Sequence, residues 1–233
     1  MFDRHISSQF DEGLNILCSK LMHLGDLVEL QTQLAIRAFI EKNLDFCNQV
    51  ITREKTINSL EIEIDSACAE LIARRQPTAN DLRLIMAISK AVTNLERVGD
   101  EAERIALRSK HIISQNVDYK INVSEINHSG QLAIKLLRQS LDSFSHLDVI
   151  SAAKVFDEDK KIDKDFGEFV NKLITHMANY PKMVPTGLDY LFIAKAIERI
   201  GDHAKNISEF VIYAVNGLDI RHLPSQEKGR FAK

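Results

Sequence analysis

Two pairs of carboxylates stand four residues apart in near-identical surroundings: Glu96 and Asp100 in Leu95-Glu96-Arg97-Val98-Gly99-Asp100, and Glu198 and Asp202 in Ile197-Glu198-Arg199-Ile200-Gly201-Asp202. In a helix, residues four apart share a face. Two like charges so placed oppose helix formation by about 0.2–0.5 kcal/mol. A local cost that recurs asks for something to offset it, and a bound cation is one candidate. Carboxylate oxygens suit hard ions and can bridge several of them, which points to Mg, Ca, Mn or oxidised Fe rather than to a thiolate-seeking metal. Gly99 and Gly201 remove a side chain beside each pair and leave room for metal-bound water or a close neighbour. The plainer reading is that such a pair on an outer helix face is only solvated, with Arg97 and Arg199 as its neutralising partners.

A looser match precedes each pair. Arg53-Glu54-Lys55-Thr56-Ile57-Asn58 corresponds to Glu158-Asp159-Lys160-Lys161-Ile162-Asp163 at an offset of 105 residues, against 102 for the hexapeptides. At about 100° per residue, Glu96 and Asp100 lie far round from Leu95, Val98 and Ala102, so they are expected to face away from the core. Glu54 and Asn58, and their counterparts Asp159 and Asp163, fall at the rim of a core stripe. If the helices carrying them are neighbours, a solvent-facing groove gathers both pairs in each half.

Other chemistries have little footing. Glu125-Ile126-Asn127-His128 is the sole ExxH, and a di-iron carboxylate bundle wants two on different helices, so coincidence is the reading. His203, beside Asp202, is a weak candidate nitrogen ligand, and the remaining histidines form no ligand spacing. Phosphate-cradling GxxxxGK[ST] and GxGxxG and the nucleophile elbow GxSxG do not occur. Cys18, Cys47 and Cys68 lack a CxxC pair and read as buried thiols of a reducing compartment. A formal charge of -3 gives no excess of positive charge for a phosphate backbone, so nucleic acid is not an expected partner. No apolar run approaches the roughly 20 residues of a spanning helix, and Met1–Phe10 has no apolar signal core.

The elements that must position these side chains read as helices. Gly (9) and Pro (4) are scarce in 233 residues, while Leu, Ile, Ala, Glu, Lys and Asp dominate. Ile6, Phe10, Leu14, Leu17, Leu21, Leu24 and Val28 form one stripe and predict a helix over about 6–40. Val50, Ile57, Leu60, Ile64, Ala67 and Leu71 predict a second over about 43–75, ended by Pro77. Thr78 and Asp81 make a near capping box for a third over about 79–113. Its Leu84, Ile88, Ala91, Leu95, Val98, Ala102 and Ile105 step by fours and threes, a seam suited to bundle crossings of about +20°. Stretches near 126–148 and 152–178, the breakers Pro181 and Pro185, and a second seam through Ile193, Ile197, Ile200, Ala204, Ile207 and Val211 repeat the plan. The expected fold is all-α: two tandem three-helix bundles related by internal duplication, at 1–115 and 124–217, with a tail at 218–233 whose last residues, from Leu223, read as disordered.

The motifs LERVGDEAERI (95–105) and IERIGDHAKNI (197–207), each closing a helical trio, with RQPTANDLRLI leading into the first and FDEDKKID upstream of the second, resemble the PhoU family of phosphate-specific transport regulators. The likeness runs from Arg4 to His222. It implies bundles side by side, a homodimer, and paired E(D)xxxD motifs from adjacent helices that hold multinuclear clusters of Fe, Mg, Mn or Ca at the surface. Residue by residue, these would be Glu54, Asn58, Glu96 and Asp100 in one half and Asp159, Asp163, Glu198 and Asp202 in the other. Asn58 departs from the motif, and a neutral amide binds cations less strongly than Asp, which weakens the first-half set.

The resemblance also implies a cytoplasmic negative regulator of the phosphate-starvation response. Such a protein couples the phosphate ABC importer, through its ATPase subunit, to the sensor histidine kinase, and sits at the inner face of the membrane only through these partners. Two other readings stay open on the residues alone. A carboxylate-bridged metalloenzyme would enclose its metal with a general base and an open position, which outward-facing acids disfavour. A metal-free helical scaffold would leave the acids merely solvated.

Overall fold

Few breakers and long apolar stripes leave six long helices: α1 (Ser8–Ile40), α2 (Leu44–Arg75), α3 (Ala79–Ser114), α4 (Ser124–His146), α5 (Val149–Asn179) and α6 (Val184–Asn216). The computed structural model describes residues 8–115 and 121–223. The predicted start of the first helix at residue 6 and the reading of 224–233 as disordered lie outside the described residues.

Helix ends follow local chemistry. The Oδ1 of Asn43 accepts from the backbone N–H groups of Asp45 (2.9 Å) and Phe46 (3.2 Å) and opens α2. Asp148 does the same for Ile150 and Ser151 at 2.9 and 3.1 Å, which is why α5 begins at Val149 rather than near 152. At Thr78 the hydroxyl does not cap the backbone of α3 as a capping box requires: its Oγ1 donates to the Asp81 carboxylate at 2.7 Å. Pro181 opens a 3-10 turn, Pro181–Met183, and Pro185 sits in the first turn of α6, where its missing N–H has no helical partner to lose.

The stripes meet as the seams predict. α1, α2 and α3 pack on one another, α4, α5 and α6 do likewise, and α3 against α6 is the most extensive pairing of all. Leu95, Val98, Ala102 and Ile105 of α3 and Ile197, Ile200, Ala204 and Ile207 of α6 are each at most 1% exposed and belong to one core that runs through both trios. Fully burying a leucine, isoleucine or valine of this seam is worth about 1.5–3 kcal/mol. Polar bonds clamp the flank of this seam: Arg199 Nη1 donates to buried Glu101 at 3.0 Å, and Asn206 Nδ2 donates to Asn94 Oδ1 at 3.1 Å. Past Gly217, whose φ of 72° suits a residue without Cβ, the chain folds back. Ile220 joins Phe156 and Ile212 in a small second cluster, with Leu223 packed partly buried against it.

Candidate metal centre

α2 and α3 run side by side, and their facing flanks carry acids at matching intervals. Glu54, Asn58 and Glu61 climb α2 at i, i+4 and i+7, and Glu96, Asp100 and Glu103 climb α3 in the same way. The expected set Glu54, Asn58, Glu96 and Asp100 is therefore brought to one groove, extended by Glu61 and Glu103. Glu54 lies deeper than its predicted place at the rim, at 4% exposure. Gly99 lets the helices approach so closely that a Cβ there would lie 3.3 Å from both Glu54 carboxylate oxygens. From α1, Gln31 Nε2 donates to Glu54 Oε2 and, at 3.3 Å, to the carbonyl oxygen of Gly99. Burial pushes the Glu54 carboxyl up to about 7; the bond from Gln31 opposes this, and Asp100, Glu103 and Glu96 add to it. Glu61, Glu96 and Glu103 are raised as well, chiefly by burial, with neighbouring carboxylates contributing.

Two oxygens in this groove, Oε1 of Glu54 and Oδ1 of Asn58, are buried and take no hydrogen bond. Orphaned buried acceptors beside a row of carboxylates suit a hard cation. Arg97 offers only loose compensation, 3.6 Å from Glu96 and 3.9 Å from Asp100, and is largely exposed. Among the described residues, no three His, Cys, Asp or Glu side chains converge as a ready-made ligand set.

The α5–α6 groove has the same backbone plan and different chemistry. Asp159 is buried at 3% exposure, and a Cβ on Gly201 would meet its Oδ1 at 2.8 Å, repeating the approach at Gly99. Its charge is already matched: Lys205 Nζ donates to Asp159 Oδ2 at 2.7 Å and to Asp202 Oδ1 at 2.6 Å. Burial works against a charged lysine, but these two carboxylates outweigh it and hold the Lys205 pKa above its ordinary value. Glu198 takes Lys195, whose Nζ lies 2.7 Å from Oε1, and Asp163 is exposed. In this groove the cation facing the acids is a side chain of the chain itself.

The remaining candidates are spent on structural bonds. Glu125 pairs with Lys172, and His128 Nδ1 lies 2.5 Å from Asp165. His203 Nδ1 stands 3.0 Å from Asn94 Oδ1 across the seam, with its pKa lowered by burial. Arg199 serves Glu101 rather than the acidic pair beside it. Cys47 and Cys68 are buried and Cys18 is half-buried, all as free thiols.

The PhoU domain model matches residues 21–109 and again 126–211, so each trio carries its own copy. The chain belongs to the PhoU family. It is 45% identical over 228 residues, 97% of either protein, to the "Phosphate-specific transport system accessory protein PhoU homolog" of Burkholderia sp. It is 39% identical to the accessory protein PhoU of Escherichia coli (strain K12), covering 97% of this chain and 92% of that one. Its fold is that of the crystal structure of PhoU from Pseudomonas aeruginosa, at a TM-score of 0.87 and 37% identity, covering 90% of this chain and 100% of that one. The regulatory PhoU of Streptococcus pneumoniae matches at a TM-score of 0.82 and 27% identity, over 90% and 98%. Among the described residues of this PhoU chain, no helix is long and apolar enough to cross a membrane.

Proposed function

We propose that the chain is a binding protein of phosphate-specific transport, not an enzyme, and that it restrains the phosphate-starvation response. It does so by coupling the phosphate ABC importer, through the ATPase subunit, to the sensor histidine kinase. The observation that carries this reading is the match over both repeats to relatives named as accessory proteins of that transport system. The physical mechanism is a population shift: a partner that binds the non-signalling kinase conformation more tightly moves the equilibrium by the difference in affinity, and no further. The protein works in the cytoplasm as a homodimer and reaches the inner face of the membrane through its partners.

The acidic grooves belong to the same proposal. Glu54, Asn58, Glu96 and Asp100 would hold hard cations, whose charge would compensate the carboxylates and tie α2 to α3. The orphaned oxygens of Glu54 and Asn58 support this. Deleting the gene should derepress a phosphate-starvation reporter in phosphate-rich medium, with the sensor kinase as the required intermediate. An unchanged reporter would defeat the regulatory reading.

A further inference from the structure

The two halves are copies, so each groove can be read against the other one turn at a time. With α2 and α5 offset by 105 residues and α3 and α6 by 102, Glu54 corresponds to Asp159, Asn58 to Asp163, Glu61 to Phe166, Glu96 to Glu198, Asp100 to Asp202 and Glu103 to Lys205. Buried partners confirm the register: Ile57 with Ile162, Ile64 with Phe169, and Gly99 with Gly201. Glu54 and Asp159, Glu96 and Glu198, and Asp100 and Asp202 keep an acid in both copies, while Asn58 stands where the second copy has Asp163. The C-terminal rung of each ladder differs, for Glu61 and Glu103 of the first groove are replaced by a phenyl ring and an ammonium in the second.

The consequences are electrostatic. The first groove holds five carboxylates and an amide; Arg97 pairs with two of the acids loosely, at 3.6 and 3.9 Å, and Oε1 of Glu54 and Oδ1 of Asn58 take no hydrogen bond, whereas the one such oxygen in the second groove, Oε2 of Glu198, has the Lys195 ammonium 2.6 Å away. In the second, Lys205 bridges the acid from each helix at 2.6–2.7 Å. Phe166 lies under the Lys195 ammonium, 5.4 Å from ring centroid to nitrogen, and Lys195 in turn holds Glu198. A metal entering here would have to displace a half-buried ammonium and meet its repulsion at short range. An ion entering the first groove relieves repulsion instead.

We propose that this chain binds metal in one half only, in an α2–α3 site that Glu61 and Glu103 extend beyond the paired motifs, and that Lys205 is a built-in substitute for the metal in the α5–α6 groove. This rests on the reading that the acidic motifs are metal sites. It inverts the ranking that Asn58 suggests, because the loss of one charge at the centre of the first ladder is outweighed by two extra carboxylates at its C-terminal rung.

The test uses Mn2+ on full-length protein stripped with chelator, with the bound ratio measured by equilibrium dialysis and metal positions by anomalous diffraction. Glu54→Gln with Asp100→Asn should weaken Mn2+ binding at least about tenfold, equivalent to about 1.4 kcal/mol. Asp159→Asn with Asp202→Asn should leave it unchanged. Lys205→Glu should raise the saturating Mn2+ ratio by creating a second site; should that variant fail to fold, Lys205→Gln, which removes the ammonium at similar size, gives the same readout. Anomalous density in the α5–α6 groove of the natural chain, or equal loss from both double substitutions, would overturn the asymmetry while sparing the metal reading. No gain from either Lys205 variant would overturn the lysine's role. No Mn2+ bound by the natural chain at millimolar concentration would bring down the metal reading itself, and the asymmetry with it.

Discussion

Gln31 of α1 donates its side-chain amide to Glu54 of α2 in the buried angle behind the α2–α3 groove, and among the described residues it is the only donor that carboxylate has. The pair joins three helices, since the same nitrogen reaches the carbonyl of Gly99 at 3.3 Å. Gln31→Leu keeps the volume and removes the donor, and leaving a buried acceptor unsatisfied costs about 1–3 kcal/mol. Urea unfolding of chelator-treated protein should show a loss of that size, and millimolar Mn2+ should recover part of it. An unchanged midpoint would mean that Glu54 has no need of Gln31.

The two groove glycines should respond differently to alanine. Gly-to-Ala in a helix gains about 0.5–1 kcal/mol from backbone entropy. At Gly99 the new methyl would stand 3.2 Å from Ile57 and 3.3 Å from Glu54, a squeeze that nearly cancels the gain. At Gly201 it would stand 2.8 Å from Asp159 and 2.9 Å from Ile162, and Asp159 is tethered by Lys205. Gly201→Ala should therefore destabilise by about 1–2 kcal/mol, while Gly99→Ala stays within about 0.5 kcal/mol of the natural chain. Denaturant midpoints in the opposite order would refute this account.

Asn94 is the polar hinge pin of the α3–α6 seam, accepting from Asn206 at 3.1 Å and standing 3.0 Å from His203. Asn94→Ala strips partners from two half-buried groups and should cost about 1–3 kcal/mol. Amide hydrogen exchange should quicken on both α3 and α6, because the bond crosses between them. Faster exchange confined to α3 would show that the clamp contributes nothing across the seam.

Cys68 offers a pH-dependent readout away from the acidic groove. Burial, with smaller help from Asp65 and Cys18, pushes its thiol from 9.0 up to about 12. Folding thus favours the neutral thiol: the stability this gives is complete below 9.0 and is lost as pH rises through about 12. At pH 8 a brief pulse of iodoacetamide should leave Cys68 intact in folded protein and modify it after denaturation, as read by peptide mass spectrometry. Equal labelling in both states would contradict its burial.

Much of this architecture is legible in the residues because bundle packing imposes a period on them. The fours and threes from Leu84 to Ile105 and from Ile193 to Val211 fall on side chains buried in α3 and α6, since a core-facing stripe cannot be laid out otherwise. Helix starts are less legible: Asp148 caps α5 without any periodic signal, and Thr78 gives its hydroxyl to Asp81 instead of the backbone. At the candidate centre, the central acids could be picked out because they recur. Glu61 and Glu103 continue each ladder one turn further on the same helix face, but they do not recur in the second copy, where Phe166 and Lys205 stand. Gln31 was not, as it reaches Glu54 from another helix and no local spacing encodes that meeting. The depth of Glu54 and Asp159 escaped for the same reason, for it depends on how closely Gly99 and Gly201 admit a neighbouring helix.

The interior that runs without a break through α3 and α6 means that neither trio finishes its own core. Expressed by itself, either half would bare a greasy flank as long as a helix and would seek a second copy to cover it. The intact chain is therefore a covalent version of a dimer. With the halves tethered, each has a guaranteed mate, and the two grooves can differ in their side chains while the scaffold stays whole.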